Sequence, residues 1–463
     1  MSAVIIDIPP TAEGYATFIR CKSLPSYRVV GRTVETDEAS YRLIFGAGQD
    51  RQVSTEDGHL FDYQAWVTNL ALDRQRFAVF MDCGLGKTAV EVAWAHAIAR
   101  KFGRVLFLAP LAVVEDIQRF TAKFYGYRMS NLRSEPWQTD VAILNIESRR
   151  DVDMTNVVGV VLDESSCLKS ETGETRKWVT ALVKPCRFRL ACSATPSPNE
   201  LAEYATHAVW LGHATTLNEF YGQFFRKDGT EWRLKGHAHA AFYRNLRSWC
   251  TYIQSPSTLG FRDHQAELRE PPVYHEIRTD APDYKPKDKL FQDAVSLGES
   301  REIFGAMRAD VTQPRFKESV AAIEGKRAIV WCSRNAEEDA FRRAIGGHVI
   351  SGATPVEERV DLIDDFRAGR TKTLISKPSV LGFGVNLPEA TDMLYSGYTF
   401  SFEQFYQAVR RAHRFGREGR LTVHVPVTDI EQPVWGLLQG KMRTFDKDVQ
   451  TLQSMFAQQK DAA

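Results

Sequence analysis

The chain has 463 residues, 43% hydrophobic and 25% charged, which at ~150 residues per domain makes about three units and excludes a short peptide factor or a disordered chain. Lys and Arg total 59 against 58 Asp and Glu, a formal net charge of +1, so polybasic binding is excluded and any nucleic-acid contact must be a local groove. No basic stretch followed by an apolar one opens the chain, and no run reaches the ~18 apolar residues that span a bilayer, so neither a secretory signal nor a membrane segment is expected.

Residues 1–55 mix β-branched residues with scattered charge, at Tyr27 to Val34 and Ser40 to Phe45, and predict a small N-terminal β segment without assignable chemistry. From Phe77 onward short apolar runs alternate with longer stretches of helical period: Phe77–Met81, Val105–Ala109, Val141–Leu144, Val157–Leu162 and Phe188–Cys192. Runs of this kind read as parallel strands buried on both faces, joined by helices, over residues 56–214. Thr215 to Glu270 is rich in Trp, Phe and His and predicts a mostly helical connecting segment that ends at Pro271-Pro272. A second series follows over 271–455: Ala328–Cys332, His348–Ile350, Thr371–Ile375, Met393–Tyr395 and Leu421–Val427, with a helical stretch at Pro355–Phe366. The fold class is therefore α/β, with two parallel-sheet domains in tandem. The seven cysteines, Cys21, Cys83, Cys167, Cys186, Cys192, Cys250 and Cys332, include no C-x-x-C pair and predict reduced thiols in a cytoplasm.

Met81-Asp82-Cys83-Gly84-Leu85-Gly86-Lys87-Thr88 follows an apolar strand and precedes the helix-period run Ala89 to Arg100, the setting of a phosphate-binding loop. Backbone N–H groups of Gly84, Leu85, Gly86, Lys87 and Thr88 would cradle a β-phosphate, Lys87 would neutralise the β/γ oxygens, and Thr88 would hold Mg²⁺. Met81 stands where the usual first glycine would be, and a plain glycine turn beside a solvated lysine is the other reading. At the end of Val157–Leu162 come Asp163 and Glu164. A carboxylate pair at the C-terminal edge of a buried strand is costly to desolvate unless a cation meets it, so Asp163 is a candidate Mg²⁺ ligand and Glu164 a candidate base for the attacking water. A helix-capping Asp-Glu-Ser-Ser turn is the alternative. The next strand ends at Ser193-Ala194-Thr195-Pro196.

With Gln407–Arg417, Q-A-V-R-R-A-H-R-F-G-R, these segments resemble, in order, the motifs of superfamily-two helicases. The G-L-G-K-T and Q-A-x-x-R-A-H-R-x-G forms look most like Swi/Snf-type ATPases, particularly compact phage- and prophage-encoded members, and the resemblance runs from about Leu60 to Thr428. It implies two RecA-like domains with ATP and Mg²⁺ between them, nucleic-acid-dependent ATP hydrolysis, and a helicase or translocase that moves along DNA ahead of RNA. It further implies a monomeric motor in a bacterial or phage-infected cytoplasm, with partners in replication, recombination or repair. Residue by residue, Tyr63-Gln64 resembles the adenine-reading Q motif, and Pro110-Leu111 and Asn145 to Ser148 match backbone-contacting segments. Ser351 to Pro355 with Glu358-Arg359 resembles the S-G-x-T-P segment. Gly382, Gly384, Val385 and Asn386 match the glycine motif that approaches the nucleotide, which makes Gly384 and Asn386 candidate nucleotide contacts. Ser166 departs from the family, which usually has His there.

Two frames fit the arginines: Gln407 followed by Arg411 and Arg414, or His413 followed by Arg417 and Arg420. The preceding Ser401 to Ala408 favours Arg411 and Arg414 as the arginines that meet the γ-phosphate. Trp232-Arg233-Leu234-Lys235 is either a strand-stacking element or core. A nucleotide-operated switch acting on a protein partner is the competing function class.

Overall fold

The computed structural model describes residues 4–22, 24, 26–38, 40–41, 59–169, 173–229, 231–262, 270–279, 315–381, 385–397, 401–414, 417–428 and 431–456. The chain divides into two units, 1–263 with 448–463, and 264–447.

In the first unit β1 (Val4–Asp7), β2 (Arg28–Val30) and β3 (Thr33–Thr36) form a small antiparallel sheet in the order β1-β3-β2. Cys21, Leu24 and Val34 bury its one apolar face. Of the Ser40 to Phe45 stretch, residues 42–45 lie outside the described residues, and 40–41 are helical.

The main sheet holds β4 (Arg76–Met81), β5 (Arg104–Ala109), β6 (Ser130–Asn131), β7 (Val141–Asn145), β8 (Val157–Leu162), β9 (Phe188–Ser193) and β12 (Cys250–Ile253). Its order is β12-β4-β9-β8-β5-β7-β6, and every pairing is parallel. Phe77, Val79, Val105, Phe107, Ile143 and Val161 are fully buried, as near-continuous apolar runs in a sheet covered on both faces require. The Lys87–Phe102 helix crosses from β4 and packs Val90, Trp94 and Ile98 into the same core.

The stretch from Thr215 supplies the Leu217–Phe224 and His239–Trp249 helices, and also the hairpin β10 (Phe225–Asp228) with β11 (Glu231–Leu234). It also supplies β12, which pairs with β4 and forms an edge of the main sheet. Trp232 is half-buried on this hairpin and stacks on Tyr221 at 4.4 Å between ring centroids.

The second unit is a six-stranded parallel sheet of β13 (Val273–Thr279), β14 (Ala328–Trp331), β15 (His348–Ile350), β16 (Thr373–Ser376), β17 (Asp392–Tyr395) and β18 (Thr422–Thr428). The order is β13-β18-β17-β14-β16-β15. The α/β class with two parallel sheets and a small N-terminal β segment thus holds. No helix among the described residues is long and apolar enough to cross a membrane.

Gly397, just after β17, donates its N–H to the Trp331 carbonyl at 2.9 Å. A Cβ there would lie 2.1 Å from the Ser333 nitrogen and 2.3 Å from the Cys332 carbonyl carbon, both backbone atoms that cannot step aside. Gly397→Ala is therefore expected to cost about 2 kcal/mol by overpacking. Thermal unfolding should show Tm roughly 5 °C lower in this unit, whereas an unchanged Tm would mean that the two strand ends part freely.

Candidate active site

β4 ends at Met81 and β8 at Leu162, with β9 between them, so Phe80 pairs with Ser193 and Leu162 with Ala191. The phosphate-loop candidate, the acid pair and the Ser193 turn therefore emerge together at the C-terminal edge of one sheet, where open α/β sheets bind ligands.

The loop is shaped by two glycines in left-handed backbone, Gly84 (φ 87°) and Gly86 (φ 77°). At Gly86 a Cβ would also meet the Gln64 amide nitrogen at 2.3 Å, so backbone angle and space both require glycine. The helix then starts at Lys87, with the half-buried Thr88 in its first turn. Lys87 Nζ donates to the Met81 carbonyl at 3.1 Å, a tether that keeps the ammonium over the loop.

Tyr63 and Gln64, both buried, hold this loop from behind. Tyr63 Oη and Gln64 Nε2 each donate to the Leu85 carbonyl at 2.9 Å, and Gln64 Oε1 accepts from the Phe61 N–H at 3.0 Å. Both ends of the Gln64 amide are thus engaged by this chain's own backbone.

The acid pair sits on a strained turn. Glu164 has φ 53°, a left-handed backbone that costs a non-glycine residue about 1–3 kcal/mol and lasts only where the surroundings enforce it. Asp163 Oδ1 accepts the Glu164 N–H at 2.8 Å, and the Cys167 N–H donates to the Glu164 carbonyl at 3.1 Å. The Ser193 and Ser166 hydroxyls reach Glu164 Oε1 at 3.5 and 3.4 Å. Serine at 166 thus meets the acid and leaves Ser193 as a second hydroxyl on the same oxygen.

The electrostatics single out Glu91, which the sequence reading missed. It lies one turn after Lys87 on the same helix face and is fully buried. Burial first, and then the Asp163 charge, push its carboxyl well above the usual carboxylate range against the pull of Lys87. Burial also raises the Asp163 carboxyl, opposed by Lys87 and by hydrogen bonds from Glu91 and the Glu164 backbone. Burial alone would lower Lys87, but Cys83, Glu164, Asp163 and Glu91 together hold its ammonium above the ordinary lysine value. The available signal was a lone acid in the apolar run Ala89-Val90-Glu91-Val92-Ala93.

A second missed residue is His207, fully buried on the Tyr204–Leu211 helix, with Nε2 3.1 Å from Ser165 Oγ. Beside these, Leu111 N–H and Asn145 Nδ2 both donate to Glu147, joining the turns after β5 and β7.

In the second unit Gln407 and Arg411 are buried on the Phe402–Ala412 helix, and Arg414 follows it, donating to the exposed Asn386 side chain. Arg417 is buried and its guanidinium donates to the carbonyls of Gly419, Ala390 and Thr391. Arg420 donates to the Pro271 carbonyl at 2.9 Å and pairs with Glu270 at 3.8 Å. Arg359 donates to the Thr354 and Ser351 carbonyls and closes the Ser351–Thr354 turn. Gly382 and Gly384 lie outside the described residues.

Burial holds the His207 pKa down at about 4, against the Glu203 backbone carbonyl. A histidine depressed from 6.5 in the folded state contributes its full stability above pH 6.5 and loses it as pH falls from 6.5 to about 4. The loss is expected to reach about 3 kcal/mol. Denaturant midpoints at pH 7.5 and 4.5 should therefore converge for His207→Gln relative to the parent chain, and equal slopes in both proteins would contradict a neutral buried imidazole.

Among curated protein sequences none matches the chain. The SWI2/SNF2 ATPase core of Sulfolobus solfataricus, solved in complex with dsDNA, is a similar structure: 17% identical, covering 80% of this chain and 88% of that one, with a TM-score of 0.42. Neither finding bears on a phage or prophage source. Residues 315–416, most of the second unit's sheet and its arginine helix, match the helicase conserved C-terminal domain.

Proposed function

We propose that the chain is an ATP-hydrolysing motor on nucleic acid, with DNA ahead of RNA as its track. The observation that carries the reading is the convergence of Lys87, Asp163 and Glu164 at one sheet edge, beside a glycine loop whose left-handed turns leave backbone N–H groups for an anion. The helicase-type match in the second unit supports nucleic acid as the partner, and the order of the sequence motifs, which resembles Swi/Snf-type ATPases, supports DNA.

The residues fit ATP with Mg²⁺. Lys87 is held as a cation, Thr88 stands in the first turn of the helix that follows the loop, and the Asp163 carboxyl faces Lys87. Bound there, Mg²⁺–ATP supplies a phosphoryl group open to attack by water. Lys87 gives positive charge to the phosphate oxygens. Asp163 and Thr88 would hold the metal. Glu164, fixed by two serine hydroxyls, takes a proton from water at its carboxylate.

In the Gln407 frame Arg411 and Arg414 would be the arginines that give positive charge to the γ-phosphate. What supports this frame over the other is the stretch Ser401 to Ala408 that precedes it; the Arg417 guanidinium is held by backbone carbonyls and Arg420 by Pro271 and Glu270, whereas Arg414 meets the exposed side chain of Asn386.

ATP turnover measured with duplex DNA, single-stranded DNA and RNA in parallel tests the reading. Stimulation by DNA of about tenfold or more is expected, and turnover indifferent to every nucleic acid would favour a switch that acts on a protein. Lys87→Ala should weaken labelled-ATP binding itself, since its charge is present in the ground state. Arg414→Ala should abolish DNA-stimulated hydrolysis and leave ATP affinity within a few-fold. Arg417→Ala should instead lower Tm, and Arg420→Ala should be mild. Loss of hydrolysis in a stably folded Arg420→Ala protein, with Arg411 dispensable, would install the other frame.

A further inference from the structure

The Tyr204–Leu211 helix is buried along nearly its whole length by Tyr204, Ala205, Ala208, Trp210 and Leu211. His207 interrupts this run with an imidazole that has no exposed surface. A polar ring in that position costs desolvation unless its hydrogen bond is used.

The ring touches two parts of the site. Nε2 lies 3.1 Å from Ser165 Oγ, on the residue that directly follows Glu164. Its edge meets Phe80, with centroids 5.2 Å apart and planes at 87°. Phe80 precedes Met81, whose carbonyl tethers Lys87. One side chain therefore bridges the strand that ends in the phosphate loop and the turn that carries the acid pair.

That turn needs holding, because Glu164 stands in left-handed backbone. Within the turn the Glu164 N–H donates to Asp163 Oδ1 and the Cys167 N–H to the Glu164 carbonyl, and Ser193 acts from the neighbouring strand. The Ser165 hydroxyl is a side chain of the turn fixed by a helix outside the sheet.

We propose that His207 is a positioning residue for hydrolysis: by holding Ser165 it keeps the Glu164 turn in its strained form and locks it in register with β4. The role rests on the reading of Glu164 as the base. Burial pushes its pKa down to about 4, so the imidazole that meets Ser165 is neutral at pH 7.5.

The test uses the full chain with His207→Phe, His207→Gln, Ser165→Ala and the Ser165→Ala/His207→Phe double variant. Phenylalanine keeps the aromatic contact with Phe80 and removes the partner of Ser165; glutamine can restore that partner. At pH 7.5, kcat for DNA-stimulated hydrolysis should fall about tenfold or more in His207→Phe, with KM for ATP within about twofold, and His207→Gln should recover most of it. Ser165→Ala should show the same loss, and the double variant should be no worse than either single one.

Hydrogen exchange of nucleotide-free protein gives a readout independent of turnover. Protection of the 163–167 amides should fall in His207→Phe and Ser165→Ala and return in His207→Gln. Parental kcat and parental protection in His207→Phe, or strictly additive losses in the double variant, would overturn the proposal. Should His207→Phe fail to fold, Ser165→Ala decides on the same two readouts. A parent chain that does not hydrolyse ATP would defeat the proposed function, while loop protection would still decide the role of His207.

Discussion

One cation shared among buried carboxyls sets the terms for the first unit. Lys87 faces Asp163, Glu164 and Glu91, and two of these acids are almost wholly withdrawn from water. An unpaired charge in such a place costs several kcal/mol, so the acids hold the Lys87 ammonium above its ordinary value while burial pushes the Glu91 carboxyl up. The arrangement exists only if β4 and β8 end at the same edge with β9 between them, and only if the helix begins at Lys87, so that Lys87 and Glu91 share a face. Sheet order, loop glycines and helix start are thus different expressions of one electrostatic requirement.

The parts around that cluster act as clamps. Tyr63 and Gln64 fix the Leu85 carbonyl behind the loop, Ser193 and Ser166 fix one oxygen of Glu164, and His207 fixes Ser165. Each clamp comes from a different element, so the strain at Glu164 is borne by the whole edge of the sheet. Groups held this way need little reorganisation as charge develops, the condition under which electrostatic stabilisation is largest.

The strands around the site were legible because burial on both faces leaves uninterrupted apolar runs such as Val157–Leu162 and Phe77–Met81. The glycine loop was legible because left-handed backbone and close approach admit few other residues. The edge strands were harder: β12 carries Cys250-Thr251-Tyr252-Ile253 and β13 starts with exposed Val273 and Tyr274, so neither has the pattern of a strand buried in the sheet's middle. Glu91 and His207 escaped because each lies in a mostly apolar stretch of its helix, and its meaning comes from an element distant in sequence. The Arg417 carbonyl contacts and the Gln64 clamp are likewise tertiary facts, invisible to spacing.

The central claim is that Glu164 acts on water while Lys87 and the loop hold the nucleotide, and Glu164→Gln separates the two. Equilibrium binding of labelled ATP with Mg²⁺ and single-turnover hydrolysis, measured on the same preparation with DNA present, decide it. The account predicts affinity within a few-fold of the parent chain and hydrolysis slower by ~10²-fold or more. Hydrolysis at the parental rate in Glu164→Gln would contradict it.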